Sequence, residues 1–235
     1  MTTASQYPCF VDRNELDLAI EQYMATEDCP SDNNCAVGKK YGYPMNTWCV
    51  SKIKDMSNLF YNRRGFNEDL SSWDVSYVTD MSWMFYSTSF NGDLSSWDVS
   101  SVTTMLSMFN DATTFNGDLS SSDVSSVTDM SYMFYHASSF NGDMTSWDVS
   151  SVTDMDGMFY DADAFNGDLS SWDVSSVTDM SEMFAYADAF NQDLCAWANI
   201  FPYSSASDIF LDSGCTFDGT PQSSSEGPFC ASSSC

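Results

Sequence analysis

Asp74, Asp98, Asp123, Asp148 and Asp173 recur at steps of 24, 25, 25 and 25 residues, each with a serine two positions before and two after. A row of carboxylates at such a regular interval supports three kinds of chemistry. The oxygens can accept bonds from the flanking serine hydroxyls and backbone, bind divalent cations such as calcium, which favours several oxygen ligands, or present a recognition face to a basic partner or a glycan. Neighbouring carboxylates in such a row repel by an amount of order 1 kcal/mol per pair in a partly screened setting. These five aspartates are therefore the candidate ligand-binding residues and, on the calcium reading, the candidate metal ligands.

Two further aspartate columns have structural explanations. Asp80, Asp129, Asp154 and Asp179, interrupted by Thr104, fit the first turn of a short helix capped by Thr79. Asp69, Asp93, Asp118, Asp143, Asp168 and Asp193 close an Asn-Gly step suited to a tight turn with positive φ. Ser122 interrupts a tryptophan column formed by Trp73, Trp97, Trp147, Trp172 and Trp197. A small groove at Ser122 is a further candidate binding position. The only histidine, His136, falls in the most variable column and reads as an exposed loop residue. An active site brings dissimilar groups together once, whereas nearly every polar residue here recurs turn after turn. The chain is accordingly read as non-enzymatic.

The elements that must carry these columns follow from the repeat. Phe66, Phe90, Phe115, Phe140, Phe165 and Phe190 open near-identical copies, and a period of this size marks a chain whose units bury their apolar faces by stacking on one another. Leu70, Trp73, Val75 and Val78 alternate as a short strand does, and Met81, Met84 and Phe85 fall at helical spacing. The expected fold is an α/β leucine-rich-repeat-like solenoid with one short parallel strand and one short helix per turn of about 25 residues. Three regions follow: residues 1–47 as a helical, disulfide-bonded cap, 48–200 as about seven turns, and 201–235 as a Cys/Ser-rich cap. In the first, Asp12 and Glu15 form a capping-box pattern ahead of Leu16, Ala19, Ile20, Tyr23 and Met24, a helix expected to end at Glu27–Pro30. Residues 30–47 read as a cross-linked loop.

The formal charge of −27 is unevenly placed. All seven Lys and Arg precede residue 65, where eight acids accompany them, and the other 26 acids follow without a base. That excludes nucleic acid and anionic membranes as partners, because phosphate binding needs clustered Lys and Arg. No run is long enough for a transmembrane helix. Cys9, Cys29, Cys35 and Cys49 precede the array and Cys195, Cys215, Cys230 and Cys235 follow it, which reads as two disulfide-stapled ends in an oxidising compartment. No N-x-Ser/Thr sequon occurs, so any glycan would be O-linked, with Ser223–Ser225 and Ser232–Ser234 the plausible places.

The motif WDVSSVTDMSEMF at 172–184, with FNGDLSS directly before it at 165–171, resembles the BspA-like leucine-rich-repeat surface proteins, in the branch whose repeats carry W-D-V-S-x-V-T-D-M-S-x-M-F. The flanks Tyr41–Trp48 and Gly227–Cys230 are similar to capping segments of that family. The resemblance implies a secreted or cell-surface protein, with adhesion the usual suggested role. The expectation is thus an extracellular or cell-surface structural and adhesive protein without catalysis. Its partners would be other copies of itself, joined head to tail into fibres through unlike ends, or other surface proteins and glycans. The alternative is a calcium-dependent module binding a glycan or basic protein through the Asp/Ser face.

Overall fold

A computed structural model describes residues 7–25, 35–224 and 229–231. Helix α1 (Arg13–Ala25) begins as the capping box requires: the Glu15 N–H donates to Asp12 Oδ1 (2.9 Å), and the Glu15 carboxylate accepts the Val11 N–H (2.9 Å). Its buried residues are Leu16, Ala19, Ile20 and Tyr23, the apolar side read from the sequence. A second helix, α2 (Ala36–Tyr41), occupies part of the expected loop, with the Cys35 sulfur accepting the Gly38 N–H at its start. The expected end of α1 at Glu27–Pro30, together with Cys29, Cys235, Ser225, Gly227–Pro228 and Ser232–Ser234, lies outside the described residues.

The expected α/β solenoid, with one strand and one helix per turn, is not what the repeat forms. Among the described residues no strand occurs, and the only helices of the α type are α1 and α2. Successive turns meet instead at isolated parallel bridges, Asp55 to Asp80, then Thr104, Asp129, Asp154 and Asp179. The expected strand Leu70–Val78 is two tight turns, in which the Trp73 N–H donates to the Leu70 carbonyl (3.0 Å) and the Val78 N–H to the Val75 carbonyl (2.8 Å). Local bonds explain the difference. Asp69 and Asp74 accept the N–H groups of Ser71 and Ser76, two residues on, so those donors are spent inside the turn and not on a neighbouring strand.

The expected helix Met81–Phe85 fails for a second reason. Trp83 and Ser87 lie at positive φ (61° and 52°), as do their counterparts in other turns, which breaks any run of helical bonds. Alternate N–H groups point along the stack: those of Met81, Trp83, Phe85 and Ser87 donate to the Thr104, Leu106, Met108 and Asn110 carbonyls of the next turn, at 2.8–3.1 Å. Thr79 is accordingly no helix cap; its N–H and hydroxyl both donate to the Lys54 carbonyl of the preceding turn. The Asn-Gly steps do not turn at positive φ either. Glycine serves space there, since a Cβ on Gly92 would sit 2.8 Å from the Phe90 ring.

The apolar columns are buried as the repeat pattern implies. Leu70, Trp73, Val75, Val78, Met81, Met84 and Phe85 and their equivalents line one continuous core. Two phenylalanine columns run through it. One stacks from Phe60 through Phe85, Phe109, Phe134, Phe159 and Phe184 to Phe210 with centroids 5.4–5.9 Å apart. The other joins Phe66, Phe90, Phe115, Phe140, Phe165 and Phe190 at 5.8–6.3 Å. The inter-turn ladder continues to Ser205, Ser207, Ile209 and Leu211, which accept from Met180, Glu182, Phe184 and Tyr186.

At the start of the stack, Asp55 and Ser57 occupy the positions whose carbonyls would accept from a preceding turn. Arg13 of α1 supplies that donor, giving Nη1–H to the Asp55 carbonyl (3.1 Å) and Nη2–H to the Ser57 carbonyl (2.6 Å). Disulfides join Cys9 to Cys49 and Cys215 to Cys230, each within its own end of the chain. Cys35 and Cys195 are disulfide-bonded as well.

Candidate functional site: the carboxylate and hydroxyl columns

All five candidate aspartates are exposed, one per turn, at equivalent positions. In each, Oδ1 accepts the N–H of the serine two residues on, Ser76, Ser100, Ser125, Ser150 or Ser175, at 3.0–3.2 Å. The serine hydroxyls of the first four donate to the same oxygen at 2.6 Å. The serine hydroxyls, followed by the backbone N–H groups, hold Asp98, Asp148 and Asp173 below the usual carboxylate range. Repulsion from Asp148 acts on Asp173 only as the smallest contribution. Local donors therefore outweigh like-charge repulsion at Asp173.

The other two aspartate columns close the same motif. Asp93, Asp118, Asp143 and Asp168 accept from Ser95, Ser120, Thr145 and Ser170, and those donors lower their proton affinity. Asp80, Asp129, Asp154 and Asp179 accept from Ser82, Ser131, Asp156 and Ser181. Here burial reverses the direction, raising Asp154 and Asp156; the Tyr132 hydroxyl, which donates to Asp156, opposes it. Among the described residues no group of three or more His, Cys, Asp or Glu side chains converges to hold a metal ion.

Two ladders went unread in the sequence. Asn67, Asn91, Asn116, Asn141, Asn166 and Asn191 each accept, through Oδ1, a backbone N–H from the following turn at 2.8–3.0 Å. The unbroken recurrence of asparagine after each phenylalanine was the signal. The tryptophans form the second: the indole N–H groups of Trp97, Trp147, Trp172 and Trp197 donate to the Leu70, Leu119, Met144 and Leu169 carbonyls of the turn before, at 3.0–3.1 Å.

Ser122 keeps the backbone turn, its N–H donating to the Leu119 carbonyl (3.1 Å), but supplies no indole for the Leu94 carbonyl. A cavity of about 20 Å³ opens there among Leu94, Trp97, Leu119, Met133 and Trp147. His136 is half-exposed and bridges both flanking turns, with Nδ1 3.1 Å from Asp111 Oδ1 and Nε2 3.3 Å from Asp161 Oδ2.

A family model described as "Mycoplasma protein of unknown function, DUF285" matches residues 33–141 and again 117–217. No curated protein and no solved structure matches the chain significantly.

Proposed function

Because the chain belongs to the DUF285 family, whose description carries no activity, we propose its function from geometry: a secreted or cell-surface structural and adhesive repeat protein without catalysis, which presents fixed carboxylates to a basic partner. The observation that carries this reading is the exposed column Asp74, Asp98, Asp123, Asp148 and Asp173, held on consecutive turns by the same serine N–H bond to Oδ1. Only Oδ1 is used in those bonds, and among the described residues Oδ2 of each member makes no hydrogen bond or ion pair, which leaves it to a cationic group. Each exposed contact is worth little alone. Five at regular spacing act together through effective concentration. The disulfides fit an oxidising, extracellular setting, and among the described residues no helix is long and apolar enough to cross a membrane. The resemblance to BspA-like surface proteins points the same way.

The test is binding to immobilised polylysine across a salt series, comparing the native chain with one in which all five aspartates are changed to asparagine. The reading expects binding that weakens steeply with salt and falls at least tenfold in the variant. Equal binding by the two proteins would remove it.

Head-to-tail association is a second reading, favoured by the charge layout. Lys39, Lys52, Lys54 and Arg64 are exposed near the head, while everything after residue 64 lacks a base. Helix α1 and Arg13 seal the first turn, so contact between copies would run through charge and not through continued backbone pairing. Sedimentation at low and high salt distinguishes a salt-dissociable filament from a monomer.

A further inference from the structure

One turn breaks the repetition. Five residues separate the paired phenylalanines in the other copies, as in Phe60–Phe66 and Phe109–Phe115, but only Tyr86, Ser87, Thr88 and Ser89 lie between Phe85 and Phe90. The shortened link leaves an open cleft of about 400 Å³ lined by Arg64, Ser87, Thr88, Ser89, Asp111 and Thr113. Arg64 comes from the turn before and Asp111 and Thr113 from the turn after. Thr88 is buried and ties the short link together, its hydroxyl donating to the Phe85 carbonyl (2.9 Å) and accepting the Phe90 N–H (3.3 Å). The Ser89 hydroxyl donates to the Arg64 carbonyl. This is a place where dissimilar polar groups converge once, which the repeated columns never do.

The unmet demands in the cleft define its ligand. The Arg64 guanidinium is exposed and makes no ion pair among the described residues. Asp111 is already engaged by His136 Nδ1 (3.1 Å) and lies near the Tyr86 ring, which Arg64 also neighbours. The Ser87 and Thr113 hydroxyls make no side-chain bond among the described residues and remain available as donors and acceptors. A planar guanidinium without a partner selects a carboxylate, which it grips through two parallel bonds. A second, ammonium-type group is not called for, because His136 already engages Oδ1 of Asp111 and the acceptor sites left on its carboxylate suit neutral hydroxyl donors. Hydroxyls and a carboxylate edge suit the hydroxyls of a sugar ring, and the volume lies within the range of small-molecule sites. The cleft also sits at the boundary of the 1–64 block, whose seven bases and eight acids leave it near neutral, so an anion is not repelled there as it would be further along.

We propose that this cleft binds an acidic sugar, a hexuronate whose carboxylate pairs with Arg64 and whose ring hydroxyls bond Ser87, Thr113 and Asp111. The site is separate from the five-aspartate column, so either can fail without the other. The probe is D-glucuronate, titrated calorimetrically into the intact, disulfide-bonded protein, with D-glucose as the neutral comparison. Glucuronate binds in the millimolar range or better, and glucose at least tenfold more weakly. Arg64→Gln reduces glucuronate binding by roughly tenfold to a hundredfold, whereas Arg63→Gln, outside the cleft lining, leaves it unchanged. An alanine inserted between Thr88 and Ser89 restores the five-residue link and abolishes binding, while near-UV circular dichroism shows the fold retained. The proposal is overturned if glucuronate gives no saturable heat, if glucose binds equally, or if Arg64→Gln binds as the native chain does.

Discussion

Ser122→Trp is expected to stabilise the protein by about 3 kcal/mol. The other array indoles are at most 6% exposed, and Ser122 holds the same backbone turn they do. The residual void contributes little: at roughly 24 cal/mol per Å³, about 20 Å³ costs only about 0.5 kcal/mol. The larger effect is new burial. Removing roughly 200 Å² of indole surface from water at about 25 cal/mol per Å² yields about 5 kcal/mol. Ordering the side chain costs about 1 kcal/mol and crowding against Trp97 and Trp147 about 2 kcal/mol, while a bond to the Leu94 carbonyl returns about 1 kcal/mol. Trp97 and Trp147 keep their own indole bonds to Leu70 and Leu119, so the new indole must widen the slot between them, which is the source of that crowding, and finds the Leu94 carbonyl without an indole donor. For a chain of this length the midpoint of thermal unfolding should rise by about 6–12 °C. Thermal and urea unfolding of the disulfide-bonded protein measure the change, and fluorescence reports whether the new indole is dry. A lowered midpoint, or red-shifted emission from a solvated indole, would refute the reasoning and show that the slot has closed.

Three other changes test the turn chemistry. Asp148→Asn retains an acceptor for the Ser150 N–H and should alter stability by less than about 0.5 kcal/mol, whereas Asp148→Ala loses two bonds and should cost about 1–2 kcal/mol in urea titrations. Asn141→Ala removes the acceptor for the Asn166 N–H; hydrogen exchange of that amide should quicken by roughly an order of magnitude, with about 1 kcal/mol of stability lost. Glu15 is held down to about 2, first by the Tyr41 hydroxyl, then by the Val11 N–H and Lys40. Its contribution is therefore full above the ordinary carboxylate range and is lost as pH falls through about 2. Tyr41→Phe should flatten the fall in stability between about pH 4.5 and 2.

The burial pattern was legible in the sequence because it depends only on which positions recur as apolar. Trp73, Val75, Val78, Met81, Met84 and Phe85 would face inward in many conformations of the same period. Backbone conformation was harder. Alternation at Trp73 and Val75 is what a strand shows, yet the Asp-x-Ser steps at Asp69, Asp74 and Asp80 were three turn signals in one repeat. The positive φ at Trp83, Ser107, Tyr132 and Glu182 had no such signal, since these residue types disfavour it; Asn58, Gly157 and Asp208 in that column suit it. Bonds between turns repay that local strain, and they become visible only once two copies are stacked. The same holds for His136, whose two aspartate neighbours lie 25 residues away on either side.

Charge is the remaining property that folding alone leaves underdetermined. The Asp-x-Ser motif explains why an oxygen acceptor recurs in three columns, but asparagine could accept the same backbone N–H. Aspartate gains a stronger, charge-assisted bond from the serine hydroxyl, which the lowered proton affinities of Asp98, Asp148 and Asp173 reflect. That gain is local and modest at exposed positions, and it comes with the self-repulsion of 26 acids unaccompanied by any base. If asparagine in the five-residue column leaves stability nearly unchanged but removes binding to a basic surface, the negative charge there serves recognition. If it unfolds the array, the charge is part of the turn and the adhesive face must lie elsewhere.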